Sequence, residues 1–171
     1  ALRDHLGSPE LGTFVDNLAR SSEPAAERAL QTILTSSPHR DVKGKACYQL
    51  GMMKLSAARL SRRIQDADAD DLSELNNRYT EVAVTRAKGV EPQILQAVGE
   101  KLLERVVSEF GDVGGRRRTL GKYAAAELFE LRRLQIVMIV PEIEGVGIDE
   151  KPMKLSDFRG KVVLLDFWGD W

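Results

Sequence analysis

The sequence predicts a mainly α fold: a helical domain over residues 1–135, then the opening of a mixed α/β domain over residues 136–171. Three observations predict it. Apolar residues recur at steps of three and four from Leu11 to Leu134, the period of one helix face. Ser-Pro pairs, an acidic run and glycines divide that stretch into helices. Around Gln135 the pattern changes to short β-branched runs punctuated by Pro and Gly, which is strand and turn chemistry.

The first helix is written in "SPELGTFVDNLAR": Ser8 is placed to cap it, Pro9 suits its first turn, and Leu11, Phe14, Val15 and Leu18 share a face. "SEPAAERALQTILTSS" repeats the device, with Ser22 as cap and a stripe of Ala26, Leu30, Ile33 and Leu34. A long helix follows Ser37-Pro38, from about His39 to Gln65, with Val42, Ala46, Leu50, Met53, Ala57, Leu60 and Ile64 facing inward. The run Asp66–Asp71 ends it and favours the N-terminus of the next helix electrostatically. That next helix is expected from Leu72 to Lys88, with Leu72, Leu75, Tyr79 and Val82 inside and Gly89 as its stop. Pro92 then opens and Gly111 closes another helix. The last, "TLGKYAAAELFELRRL", aligns Leu120, Tyr123, Ala124, Leu128, Leu131 and Leu134. Beyond it, "IEGVGI", "DEKP" and "MKL" read as a β-hairpin turning at Asp149–Pro152. "LSDFRG" reads as a single helical turn capped by Ser156, and "KVVLLDF" as a central strand covered on both faces.

Composition narrows function mainly by exclusion. At 171 residues the chain can hold one good-sized domain, or one and part of another. A net charge of −1 supplies no field to gather nucleic acid or an anionic membrane. The basic run Arg116–Arg118 in "GDVGGRRRTLG" reads as a solvated loop, with a weak phosphate or partner site as the alternative. Cys47 is the only cysteine, so no internal disulfide or cysteine metal cluster can form, and its apolar helical setting suits a structural thiol. His5 and His39 stand alone. The Asp66–Asp71 run lacks the glycine and downstream glutamate of a calcium loop and reads as a solvated linker. No metal site is expected. No apolar stretch approaches the roughly 20 residues that span a bilayer. The first residue is Ala1, not Met, so the lack of a signal-peptide pattern leaves the compartment open.

Two resemblances add to this. "ERALQTILTSSPHRDVKGKACYQLG" and "LLERVVSEFGDVGGRRRTLGKYAAAELFEL" both place a helix, a polar turn and a second helix with Ala and Leu at matching places. They resemble tetratricopeptide-type helical hairpins, without that repeat's tight length or its tryptophan; a six-helix bundle is the alternative. The stronger one is "VPEIEGVGIDEKPMKLSDFRGKVVLLDFWGDW", residues 140–171. Pro141, the hairpin, "LSDFRGK" from Leu155 to Lys161, "VVLLDFW" from Val162 to Trp168, and Trp171 resemble, in order, the opening of the redoxin family. The likeness is to its TlpA-type thiol–disulfide oxidoreductases, within the thioredoxin-like group. "DEKP" departs from the family's commoner Asp-Gly-Lys-Pro turn, and "IVMIVPEI" lacks the Gly and Ala usual before the proline.

The resemblance implies an excerpt that stops one residue before its chemistry. The family's nucleophilic cysteine, first of a Cys-x-x-Cys, would follow Trp171 directly, where a helix N-terminus lowers a thiol pKa. By resemblance Asp166 is the buried carboxylate that handles the second cysteine's proton. Burial in an apolar strand would favour its protonated form and suit it to that transfer. Trp168 and Trp171 would flank the redox pair. The implied partners are protein thiols or disulfides, with a further protein partner on the helical domain, no metal or organic cofactor, and an extracytoplasmic (periplasmic) setting. Lacking both cysteines and the cis-proline loop, the chain as it stands cannot catalyse exchange. Two alternatives remain. One is a non-enzymatic helical scaffold carrying a degenerate redoxin-like domain. The other is a peroxiredoxin-type peroxide reductase, against which "DFWGDW" speaks, since that group carries Thr-x-x-Cys.

Overall fold

A computed structural model describes residues 5–8, 10–18, 21, 23–136, 138–166 and 168. Among the described residues seven helices carry most of the length: α1 (Leu11–Leu18), α2 (Pro24–Ser36), α3 (Arg40–Asp66), α4 (Ala69–Arg78), α5 (Glu81–Lys88), α6 (Pro92–Phe110) and α7 (Leu120–Arg133). Two short strands follow, β1 (Glu144–Val146) and β2 (Pro152–Lys154). No helix among the described residues is long and apolar enough to cross a membrane. The chain divides into two compact units, residues 1–128 and 129–171.

In the first unit α1, α2, α5 and α6 all lie against α3. Of the expected stripes Leu30, Ile33, Val42, Ala46 and Leu50 are buried; Leu55, Leu103 and Val106 complete the core, while Met53, Ala57 and Ile64, expected inward, are only half-buried. α3 and α6 run antiparallel. Gly44 meets the Phe110 ring near one end, and Arg62 bonds Gln96 near the other. Between them the two backbones close on each other at glycines. A Cβ on Gly51 would sit 2.9 Å from Leu103 Cδ2, and one on Gly99 2.8 Å from Leu55 Cγ and 3.1 Å from the Gly51 carbonyl oxygen. Arg40 ties the ends together, its Nη1 and Nη2 donating to Asp112 at 3.0 and 2.6 Å and Nη2 also to the Glu109 carbonyl at 2.6 Å.

Local chemistry moved several boundaries. The single helix expected over 72–88 is two. Tyr79 and Thr80 are extended, and the Thr80 hydroxyl accepts the Ala83 N–H at 3.3 Å to start α5. Thr with Glu81 behind it is an N-cap signal, and here it overrides the continuous period. The acidic run does favour the following helix: the Asp68 carboxylate accepts the Asp70 and Asp71 N–H groups at 3.0 and 2.9 Å. Phe14, expected inward, is exposed, as is Leu134, which lies past the end of α7. Pro9 and the proposed cap Ser22 are outside the described residues.

In the second unit β1 and β2 pair antiparallel, Glu144 opposite Lys154, Gly145 opposite Met153 and Val146 opposite Pro152. The turn closes with Gly147 N–H donating to the Lys151 carbonyl at 2.8 Å. The expected hairpin is present, but its turn lies at residues 147–151 rather than Asp149–Pro152, because Pro152 pairs with Val146 at the start of β2. Leu155–Phe158 forms one 3-10 turn. Asp157 rather than Ser156 caps it, its carboxylate accepting the Lys154 N–H at 3.0 Å. "KVVLLD" forms no strand: among the described residues the sheet has two strands, and residues 161–166 are exposed. A central strand needs a partner on each edge, and β1 and β2 bond only to each other.

Candidate functional site

The residues singled out by the redoxin-like motif are held by turns with definite backbone requirements. Glu150 has φ 60° and Gly160 has φ 82°, both left-handed. For a side-chain-bearing residue that conformation costs roughly 1–2 kcal/mol, and for glycine almost nothing. Gly160 thus meets a real demand at the end of "LSDFRG". Glu150 sits in the one place of "DEKP" where the family's usual turn has glycine. The Glu142 carboxylate binds the turn to the strand before it, accepting the Ser156 N–H at 3.0 Å and the Ile143 N–H at 3.2 Å. Those hydrogen bonds, Ser156 foremost, hold its carboxyl below the usual carboxylate range.

These turns lead into 161–166 and Trp168. Asp166 is exposed rather than buried, and Trp168 is 87% exposed. Trp171 lies outside the described residues. The Asp166 and Trp168 side chains therefore both stand in solvent. The surround that would bury Asp166 comes from paired strands on either side, and 161–166 has none.

Cys47, the only thiol, is built to be inert. It is fully buried on α3 against α6, and its Sγ–H points to the Leu102 carbonyl at 3.4 Å. Burial, modified slightly by the charges of Arg105 and Glu109, pushes its pKa up to about 11. The thiolate is the nucleophile in exchange, so this residue offers almost none near neutral pH.

The helical unit carries a site that the sequence did not announce. A cleft of about 280 Å³ opens between α2, α3 and α5, with Met52, Met53, Leu60 and Tyr79 among its walls. At its polar side Glu27 joins Lys54 and Arg86, the latter at 2.5 Å. Burial alone would raise the Glu27 pKa; the hydrogen bonds and charges of Lys54 and Arg86 outweigh it and hold the carboxyl lowered. Leu60 and Ala87 of its lining belong to a small core with Leu75, against which Tyr79 and Ala83 pack. Met-lined apolar walls adapt to varied shapes, and the charge cluster beside them gives the cleft an amphipathic lining. Glu27, Lys54 and Arg86 come from three helices, and no spacing in the sequence links them. Among the described residues no three His, Cys, Asp or Glu side chains are grouped to hold a metal. The chain matches no protein-family model, no curated protein and no solved structure.

Proposed function

We propose that residues 136–171 are the leading part of a redoxin-type domain. The polypeptide they belong to is then a thiol–disulfide oxidoreductase of the TlpA kind, with the helical unit on its N-terminal side. The observation that carries this reading is the hairpin turn. Glu150, standing where the family's turn has glycine, adopts a left-handed φ of 60°. A backbone that favours glycine at that position, and glycine itself at Gly160 with φ 82°, support the reading.

In the parent, a thiolate directly after Trp171 attacks one sulfur of a client disulfide. The client's S–S bond breaks, its other sulfur leaves as a thiolate, and a mixed disulfide forms. The second cysteine gives its proton to Asp166 and attacks the mixed disulfide. The client is released reduced and the cysteine pair is left oxidised. Asp166 performs this role only once strands pair on both sides of 161–166 and bury it. Trp168 and Trp171 flank the pair and limit access to it. The helical unit, read as tetratricopeptide-like hairpins, presents a protein partner or packs on the redox domain. Residues 1–171 contain only the inert Cys47 and do not themselves perform the exchange.

The test is to read the gene through the four codons after Trp171. Cys-x-x-Cys is expected, and the Asp166→Asn variant of the full-length parent should then lose about 100-fold in disulfide reduction, the scale of general acid–base assistance. A stop codon, or no cysteine in those codons, refutes the reading. It would leave a helical interaction scaffold, the alternative that the amphipathic cleft beside Glu27 favours.

A further inference from the structure

A second cleft in the helical unit gives the basic loop a use. After α6 the chain folds back on itself: Gly115 N–H donates to the Arg118 carbonyl at 2.9 Å, Leu120 N–H to the Val113 carbonyl at 2.8 Å, and Gly114 bridges to Thr119. Gly115 lies against the Tyr123 ring so closely that a Cβ there would be 2.9 Å from it and 2.6 Å from the Arg118 oxygen. Glycine is therefore required, and its close seat on α7 holds Arg116 at the edge of a cavity of about 620 Å³. Arg117 and Arg118 do not line that cavity.

The lining has three kinds of chemistry. Lys45 and Arg116 bring two cations, and among the described residues neither has an ion-pair partner. Tyr48 and Tyr123 stand as a tilted pair, ring centroids 6.2 Å apart at 49°. Asp16, with Gln49 Nε2 donating to its Oδ1 at 3.4 Å, offers a carboxylate that takes hydrogen bonds but repels a bare anion. Two cations with no ion-pair partner among the described residues favour a dianionic group, and the arginine fork suits phosphate. The tyrosines favour a flat ring, and Asp16 favours a ligand that also carries hydroxyl donors.

We propose that this cleft binds a mononucleotide. The phosphate lies between Lys45 and Arg116, the base rests on the Tyr48–Tyr123 wall, and a ribose hydroxyl donates to Asp16. The volume falls within the range of small-ligand pockets. The site lies wholly between residues 16 and 123, so it stands or falls independently of the redox reading.

Titration calorimetry on the whole chain tests it, with adenosine monophosphate, adenosine and inorganic phosphate as probes. The monophosphate should bind at least about 10-fold more tightly than adenosine or phosphate alone. Arg116→Ala and Lys45→Met should each weaken it by about 10-fold or more, the scale of a lost charge-assisted bond. Tyr48→Leu should weaken the nucleotide and leave inorganic phosphate unchanged. Arg117→Ala, on the same loop but outside the cleft, should change nothing. All four side chains are exposed or half-buried, and circular dichroism checks each variant's fold. The proposal is overturned if the monophosphate shows no saturable binding at millimolar concentration. It is equally overturned if adenosine binds as well, or if Arg117→Ala costs as much as Arg116→Ala, which would mark a diffuse basic loop.

Discussion

Replacing Gly99 by alanine probes the contact on which the helical unit turns. Glycine inside α6 is unfavourable by about 1 kcal/mol relative to alanine, so on propensity alone Gly99→Ala should stabilise. The tertiary contact opposes this. The new methyl would lie 2.8 Å from both Cδ2 and Cγ of Leu55 and 3.1 Å from the Gly51 carbonyl oxygen. Carbon atoms prefer about 3.5–4.0 Å, and Leu55, only 1% exposed, has no solvent to move into. Overpacking of this sort costs about 1–3 kcal/mol. Against the propensity gain, and with a branch carbon and a backbone oxygen both in the way, the net expectation is about 1.5 kcal/mol of destabilisation. For a chain of this size that is a fall of about 3–6 °C in Tm. Urea unfolding followed by far-UV circular dichroism measures it. Gly12→Ala on α1 is the comparison, because its methyl would meet only the mobile end of Lys45, at 3.0 Å. It should be neutral or stabilising by a few tenths of a kcal/mol. If Gly99→Ala proves as stable as the parent chain, α3 and α6 do not approach as described. Both clefts use side chains of α3, so their shapes depend on that approach.

Perturbations at three further residues test other contacts. Cys47 should resist thiol reagents at pH 8 by at least about 100-fold relative to the urea-unfolded chain, whose thiol has a pKa near 8.5; equal rates would contradict its burial. Its raised pKa of about 11 also makes folding pH-dependent. The unfolded chain loses this proton first, so the contribution is complete below about pH 8.5 and drains away towards pH 11, at up to about 1.4 kcal/mol per pH unit. Cys47→Ser should flatten that alkaline slope, read by urea unfolding at several pH values. Glu27→Gln leaves Lys54 and Arg86 without their shared carboxylate and should cost about 2 kcal/mol at pH 7, between the values for exposed and buried pairs. Because the folded pKa is lowered, that stability is present above the ordinary carboxylate pKa and vanishes as pH falls through the folded value. The difference from the parent should therefore close in acid, and a constant difference would refute it. Glu150→Gly removes a left-handed side chain and should strengthen the hairpin by about 1 kcal/mol. The readout is about 5-fold slower hydrogen exchange at Gly147 N–H; unchanged exchange would argue against the turn.

Much of the helical unit was legible because its signals are short-range. Period placed α2, α3, α6 and α7 to within a few residues, and the Asp run marked the start of α4. The hairpin was legible from Gly, Pro and β-branched punctuation. Thr80 was the missed local signal, a cap hidden inside a stretch whose apolar spacing continued across it. The candidate sites were far less legible. The Glu27–Lys54–Arg86 cluster gathers three helices, and the Lys45–Tyr48–Arg116–Tyr123 cleft gathers two helices and a loop. Arg116–Arg118 read as one solvated run, and only the fold separates Arg116 from its neighbours.

Sequence by itself determined the mainly helical character, the approximate spans of α2, α3, α6 and α7, and the presence of the hairpin. Caps, prolines, glycines and periodicity act within one or two turns of chain, so they can be read in order. Only tertiary structure decided that Gly51 and Gly99 are contact points rather than weak spots, and that the Cys47 thiol is pushed up to about 11. It also decided that Asp166 stands in solvent instead of under a strand. Burial and charge pairing depend on what other segments bring to a residue. For Cys47 that is α6, some fifty residues away. For Asp166 no described segment comes near enough to cover it, and nothing in the spacing of its neighbours warned of that.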